Sequence, residues 1–454
     1  QRMGEACFLR AYYYYILINN FGRVPLLLEE NTGILNEMKR ASLAEIYAAI
    51  ITDLRFAAEY LPATQTEYAR PTQAAAQSLL AKIYLTRGSA VTEDRGQKPT
   101  DQDSAIFYAQ KVIDYKGGLI PDYHDANRQD NEKNNDVLFA VQYTTEPLYN
   151  GSGNGMHRFF VIQYEVIQGM QRNLEYDVAW IRASPTDYLY DPSIDSRFYK
   201  NFQTVWYCNV TNEAQLPKWT AANAPTPDKV GQPRFVLGDT AIYVSMHKDV
   251  PDAEINAKPY WWYPRNKFKP HGSRHLPQYR YHMDPYRSSV ESTVGTLDFK
   301  LLWLSDTYLT IAEAYGRKGD YAKAAEYINV VRKRAAYKEG EIKPGEVITV
   351  HGGDPAQLTS STETAMMITV EQINSPEKLR DFILDERGRE LCGTFDRRFD
   401  LLRTETFYDR IKQYNPYAAP NIKEFHKWRP IPQNHIDRLQ NPGPVEEEQN
   451  PGYY

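Results

Sequence analysis

Apolar and polar positions follow a helical period at both ends of the chain and lose it in the middle. In "SLAEIYAAIITDLRFAAEYLP", Ile46, Ala49, Ile50, Asp53, Leu54, Ala57 and Leu61 trace mostly one apolar stripe at helical spacings, which predicts a helix. Ser42 followed by Glu45 is a capping box at its start, and Pro62 ends it. "PTQAAAQSLLAKIYLTRG" predicts the next helix. Its run Ala74 to Ala76 permits close approach of a neighbour, and Gly88 marks its end. "DSAIFYAQKVIDYKG" reads as the antiparallel partner of that helix.

The same shape returns in "LLWLSDTYLTIAEAYGRKGDYAKAAEYINVVRKRAAY", two helices broken at "RKGD". Small residues (Ala312, Ala314, Ala322, Ala324, Ala325) are set against large ones (Tyr308, Tyr315, Tyr321, Tyr327). Small against large over about 34 residues is the pattern of a tetratricopeptide-like helical hairpin. "SLLAKIYLTRG" and "TYLTIAEAYGRKGD" are weak copies of one motif. A further helix is predicted in "SPEKLRDFILDERGRELCGTFDRRFDLLR", with Ser375 as N-cap and Pro376 in the first helical position. The first segment, "GEACFLRAYYYYILINNFGRVPLL", is also helical until Asn19-Asn20. Its four consecutive tyrosines, Tyr12 to Tyr15, point about 100° apart and so reach every face. In an array whose helices pack on several sides, they are expected to fill several interhelical gaps.

The middle of the chain has Pro, Gly, Asn and short extended runs such as "DVLFAVQY" and "RFVLGDTAIYVSM", and holds Trp180, Trp206, Trp219, Trp261 and Trp262. The fold expected is mainly α. A tetratricopeptide-like scaffold over about 1–115 and 300–410 carries a loop-rich, partly extended insert over about 116–299, and a proline-broken tail over about 411–454 wraps the surface.

Composition narrows the function classes. The net charge is −5 over 454 residues, so no basic face suggests nucleic acid. No run of about 18 apolar residues is present. The three cysteines, Cys7, Cys208 and Cys392, match no metal motif and read as packed thiols. The 35 tyrosines suit half-wet grooves, because the ring is apolar and its tip polar. No GxSxG, HExxH or Walker A pattern occurs, and "GSGNG" at Gly151 lacks the strand–helix context of a dinucleotide loop. "DNEKNND", Asp130 to Asp136, starts like a calcium loop. It lacks the glycine at position 6 and the closing Glu, where Val141 stands, so an Asn-rich turn is the reading and no cofactor is expected. Asp385, Glu386, Arg389, Glu390, Asp396, Arg397 and Asp400 sit at helical spacings and read as ion pairs between packed helices rather than a catalytic acid/base set.

"YWWYPRNKFKPHGSRHLPQYRYHMDPY" concentrates candidate ligand contacts. Tyr260, Trp261, Trp262 and Tyr281 offer flat faces for the C–H faces of sugar rings, and Arg265, Arg274 and His275 offer hydrogen bonds to hydroxyls. Trp261 and Trp262 are adjacent, so on a strand one points to each side. Trp206 and Trp180 are further candidates, with core packing the competing role for Trp206.

Six stretches in order resemble the SusD/RagB family of bacterial outer-membrane nutrient-binding lipoproteins. They are "GEACFLRAYYYYILINNFGRVPL", "NEKNNDVLFAVQY", "YDPSIDSRFYKNF", "LSDTYLTIAEAYGRKGDYAKAAEYINVVRKRA", "DERGRELCGTFDRRFDLLRT" and "WRPIPQNHIDRLQNPGPVEEEQNPGYY". The resemblance implies a surface-exposed lipoprotein of the outer membrane. It would capture oligosaccharides without chemistry and hand them to a SusC-like TonB-dependent transporter, and its lipid anchor would lie ahead of the first matching residues. It also implies that ligand-stacking aromatics come from the insert. A peptide-binding, RagB-like member and a structural lid with no ligand of its own are the alternatives.

Overall fold

The computed structural model describes residues 1–33, 37–158, 164–172, 189–245, 250–267, 278–279, 283–344, 358–440 and 442–454. Helix α1 runs Arg2–Phe21 and ends at Gly22, whose φ of 66° turns the chain out into the extended segment that follows. Tyr14 and Tyr15 are buried, Tyr12 is half-buried and Tyr13 is 61% exposed. The tyrosine run therefore serves several contacts at once. Tyr14 Oη both donates to the Leu27 carbonyl (3.1 Å) and accepts from the Leu27 N–H (2.7 Å), stapling the departing segment to the helix. Tyr15 meets Phe399 edge-on at 5.6 Å.

Helices α2 (Leu43–Tyr60), α3 (Gln73–Gly88) and α4 (Asp101–Lys116) follow. The Ser42–Glu45 capping box is formed as expected. Every residue of α3 from Ala74 to Arg87 is buried, because α2, α4 and a later helix surround it. The antiparallel pairing of α3 and α4 is fixed by Arg87 with Asp101 at one end and by the stacked rings of Tyr84 and Tyr108 (6.0 Å, 6°) a turn further on.

Strand β1 (Val137–Val141) pairs antiparallel with a strand at Phe299–Trp303, which leads directly into the next long helix. Between these strands lie a short helix, α5 (Arg197–Asn201), and a three-stranded sheet: β2 (Val205–Tyr207), β3 (Thr240–Val244) and β4 (Trp261–Tyr263). The strand at Phe299–Trp303 is β5.

Helices α6 (Leu304–Arg317) and α7 (Tyr321–Ala335) form the later hairpin, with the Tyr315 and Tyr327 rings stacked at 5.7 Å. Ala312, Ala314 and Ala324 are fully buried, while Ala322 faces solvent and takes no part in the contact. Ala312 packs with Ala324, Ile328, Leu379 and Ile383, which come from α7 and from α8 (Pro376–Glu390). Ala312→Trp therefore overpacks a closed contact and should cost about 1–3 kcal/mol. A thermal unfolding midpoint equal to that of the parent would refute this packing. The scaffold closes with α9 (Arg397–Arg403) and α10 (Phe407–Tyr414). The tail then wraps the C-terminal end of α1. Arg429 N–H donates to the Asn20 carbonyl (2.7 Å), and Asn450 Nδ2 donates to the carbonyl of Phe21 (2.9 Å).

The charged residues of the "DERGREL" helix are ion pairs, as expected. Arg387 holds Asp306 of α6 and Asp400 of α9, Arg403 holds Glu313 and Asp400, and Lys82 of α3 bridges Asp306 and Asp396. A second set joins the insert to this scaffold. Arg197 of α5 contacts Asp195, Glu386 and Glu390, and Glu390 also meets Arg334, which reaches Asp136.

Candidate binding face in the insert

Strand alternation sorts the aromatic candidates into two sets. β2 and β3 are antiparallel and β3 and β4 parallel, so Trp206, Ile242 and Trp261 lie side by side on one rung and Val205, Tyr243 and Trp262 on the next. Neighbours on one rung share a face, and successive rungs alternate.

The first face packs on Tyr164, Ile167, Met170, Leu216 and Phe235. Trp206 is 4% exposed within it, so this candidate fills the core and has no ring face open to a ligand in this structure. Trp261 lies at the rim of the same cluster and is half-buried. Its Nε1 donates to the Gln168 carbonyl (3.0 Å), which fixes the ring. The guanidinium of Arg234 lies 4.6 Å from the Trp261 ring centroid and 5.1 Å from that of Trp219. Arg234 Nη2 also donates to the carbonyls of Lys258 (2.7 Å) and Tyr260 (3.3 Å). A cation held between two indoles by backbone carbonyls is a rigid arrangement.

On the second face Trp262 is 7% exposed. Its Nε1 donates to Ser245 Oγ (2.7 Å), and its ring lies nearly parallel to Tyr243 at 6.3 Å. Tyr260 meets Tyr243 edge-on at 6.1 Å and is half-buried. Burial raises the pKa of the Tyr260 phenol. Tyr207, at the end of β2, is 63% exposed.

The expectation that Trp261 and Trp262 point to opposite sides describes their placement. Both are more enclosed than a ring standing free on one side would be, because Arg234 covers one and Tyr243 the other. Arg234 and Tyr243 are not among the sequence candidates, since nothing around "GQPRFVLGD" or "TAIYV" marks them and only the sheet brings them to the tryptophans. Arg265 opens a short 3-10 turn, Arg265–Lys267, and its side chain lies outside the described residues. Trp180, Arg274, His275 and Tyr281 also lie outside the described residues.

The "DNEKNND" stretch forms the expected turn. Asn134 Nδ2 donates to the carbonyls of Ala126 (3.0 Å) and Asn131 (2.6 Å), while the carboxylates of Asp130 and Asp136 pair with Arg128 and Arg334. Among the described residues, no group of three His, Cys, Asp or Glu is placed to hold a metal ion, and no helix is long and apolar enough to cross a membrane.

A tetratricopeptide-like scaffold bearing an aromatic, loop-rich insert defines a class of binding protein, and sequence comparison gives the family. Residues 120–453 match the model of the SusD family, and residues 1–85 match a model described as starch-binding associating with outer membrane. The chain belongs to the SusD family. It is 23% identical to SusD-like protein P2 of Formosa agariphila, over 99% of this chain and 74% of that protein. Its fold matches a SusD homologue from Bacteroides thetaiotaomicron with a TM-score of 0.66 at 19% identity, covering 99% of this chain and 78% of the other. It also matches surface glycan-binding protein A from Bacteroides fluxus, with a TM-score of 0.60 at 19% identity over 99% and 77% of the two chains.

Proposed function

We propose that the protein captures oligosaccharides or polysaccharide fragments on the insert, at the outer membrane, and passes them unchanged to a SusC-like TonB-dependent transporter. The observation that carries this reading is the half-buried Trp261 ring, fixed by Gln168 and backed by the Arg234 guanidinium, which the Lys258 and Tyr260 carbonyls pin. A rigid aromatic face stacks on the C–H side of a sugar at little entropic cost, and the adjacent guanidinium can donate to its hydroxyls. The family's starch-binding description and the glycan-binding structural relative support the same ligand class.

The placement of the scaffold's buried carboxylates supports binding without chemistry. Asp306, Glu313, Glu386, Glu390 and Asp400 are buried in ion pairs with arginine or lysine, which leaves them engaged rather than free as acid or base. A shallow site of this kind supports dissociation constants of about micromolar to millimolar, roughly −4 to −8 kcal/mol.

The test is affinity electrophoresis against a panel of soluble polysaccharides, with Trp261→Ala beside the parent. At least one glycan should retard the parent, and the variant should bind it at least about tenfold more weakly, a change of about 1.4 kcal/mol. Equal retardation of parent and variant would remove the insert as the site. Retention of a peptide digest and of no glycan would make this a peptide-binding member.

A further inference from the structure

A concavity lies on elements that the insert does not contribute to. A cavity of about 650 Å³ opens between α10, the loop at Glu93 and two pieces of the tail, at Glu424–Trp428 and Pro451–Gly452. That volume falls within the range of about 300–1,000 Å³ typical of small-molecule sites.

Its walls are aromatic. Phe407 and Tyr408 come from α10, and Phe425 and Trp428 from the tail; all four are half-buried. Two glycines set the tail rings in place. At Gly22 (φ 66°) a Cβ would stand 2.7 Å from the indole of Trp428, and at Gly452 (φ 88°) a Cβ would collide with the ring of Phe425. Close approach at a positive φ is what glycine alone allows without strain. Tyr453 Oη donates to the Trp428 carbonyl (2.9 Å) and holds the two tail pieces together.

The polar groups are of mixed sign. Glu405 accepts from the backbone N–H groups of Val91, Thr92 and Glu93 and so pins the loop wall, while Glu93 pairs with Lys427 (2.9 Å). Asp409 and Glu424 stand exposed at the rim and carry no ion pair among the described residues. The Lys427 ammonium lies 4.3 Å over the Trp428 ring.

We propose that this cleft is a second saccharide-binding site, for a neutral oligosaccharide. Flat rings suit the C–H faces of pyranoses, Asp409 and Glu424 accept from hydroxyls, and Lys427 donates to them. The mixed charge gives no preference to a polyanion or a polycation. The lining is helix, 3-10 turn and loop, so it offers no strand edge on which an extended peptide could pair. The inference rests on the proposed function only for the class of ligand, since no residue is shared with the insert. Two sites on one chain would bind a polymer more tightly than either alone, with no new contact.

The test labels all seven tryptophans of the full chain with 5-fluorotryptophan and assigns their fluorine resonances by single Trp→Phe changes. Maltoheptaose, laminarihexaose, xylohexaose and mannohexaose are titrated in turn, followed by a peptide digest. At least one sugar should shift the Trp428 resonance. Tyr408→Ala should weaken that response at least tenfold while leaving the response of Trp261 in place. A Trp428 resonance unmoved by every sugar, or moved only by peptides, overturns the proposal whatever Trp261 does. A moving Trp428 beside a Trp261 that responds to nothing would instead reject the insert as the primary site.

Discussion

Arg197→Met should destabilise the protein by about 3–5 kcal/mol, seen as a lower urea midpoint. The side chain is fully buried. Its Nε and Nη2 donate to both oxygens of Asp195 (2.9 and 2.7 Å), and its Nη1 donates to Glu386 (2.8 Å) and Glu390 (3.0 Å). Methionine fills much of the volume but leaves Asp195 buried without its countercharge. Glu386 and Glu390 keep other arginines, so the loss concentrates at the join between insert and scaffold. Arg197→Lys preserves the charge but not the planar fork, and should also be destabilising. An unfolding free energy within roughly 0.5 kcal/mol of the parent, the scatter of neutral surface substitutions, would show that the carboxylates find other partners.

The same join should be acid-sensitive. Burial alone would raise the pKa of Glu386, but Arg197, Arg389 and Arg332 outweigh it and hold the carboxyl well below its ordinary value. Inside the scaffold, away from the join, Glu313 is likewise held at about 2, where burial is outweighed by Arg403 and Arg317. For a carboxyl depressed by folding, the stabilisation is complete above the unfolded value of about 4.3 and is lost as pH falls through the folded one. The parent should therefore lose stability below about pH 4, and Arg197→Met should lose less over the same interval because part of that contribution is already gone.

This join shows what the sequence carries and what it leaves to the fold. The hairpins are legible because their small-against-large pattern is local, and Ala312 and Ala324 sit where it puts them. The pairing role of Glu386 and Glu390 is legible from spacing and charge. Their partner is not, because Arg197 lies 189 positions from Glu386 and only docking of the insert brings the two together. Two of the stretches that carry the family resemblance, "DSRF" and "RELC", thus meet in space. The cleft beneath the tail is hidden for the same reason. Its rings come from positions that read separately as a helix face and a polar tail, and Gly22 joins them from the far end of the chain.

Trp262→Ala should cost about 3–5 kcal/mol of stability, whereas Trp261→Ala should cost less and lose glycan binding instead. Strand alternation assigns the two indoles to opposite faces, but their roles depend on what covers each. Trp262 is packed on Tyr243 and donates to Ser245, so truncation opens a cavity and leaves a buried hydroxyl without its partner. Trp261 keeps part of its ring in water, and the burial it loses is smaller. Thermal unfolding and glycan retention measured on both variants separate packing from recognition. A Trp262→Ala protein that melts with the parent, beside a Trp261→Ala protein that melts early and still binds, would exchange the two assignments and move the ligand to the face shared by Tyr243 and Tyr260.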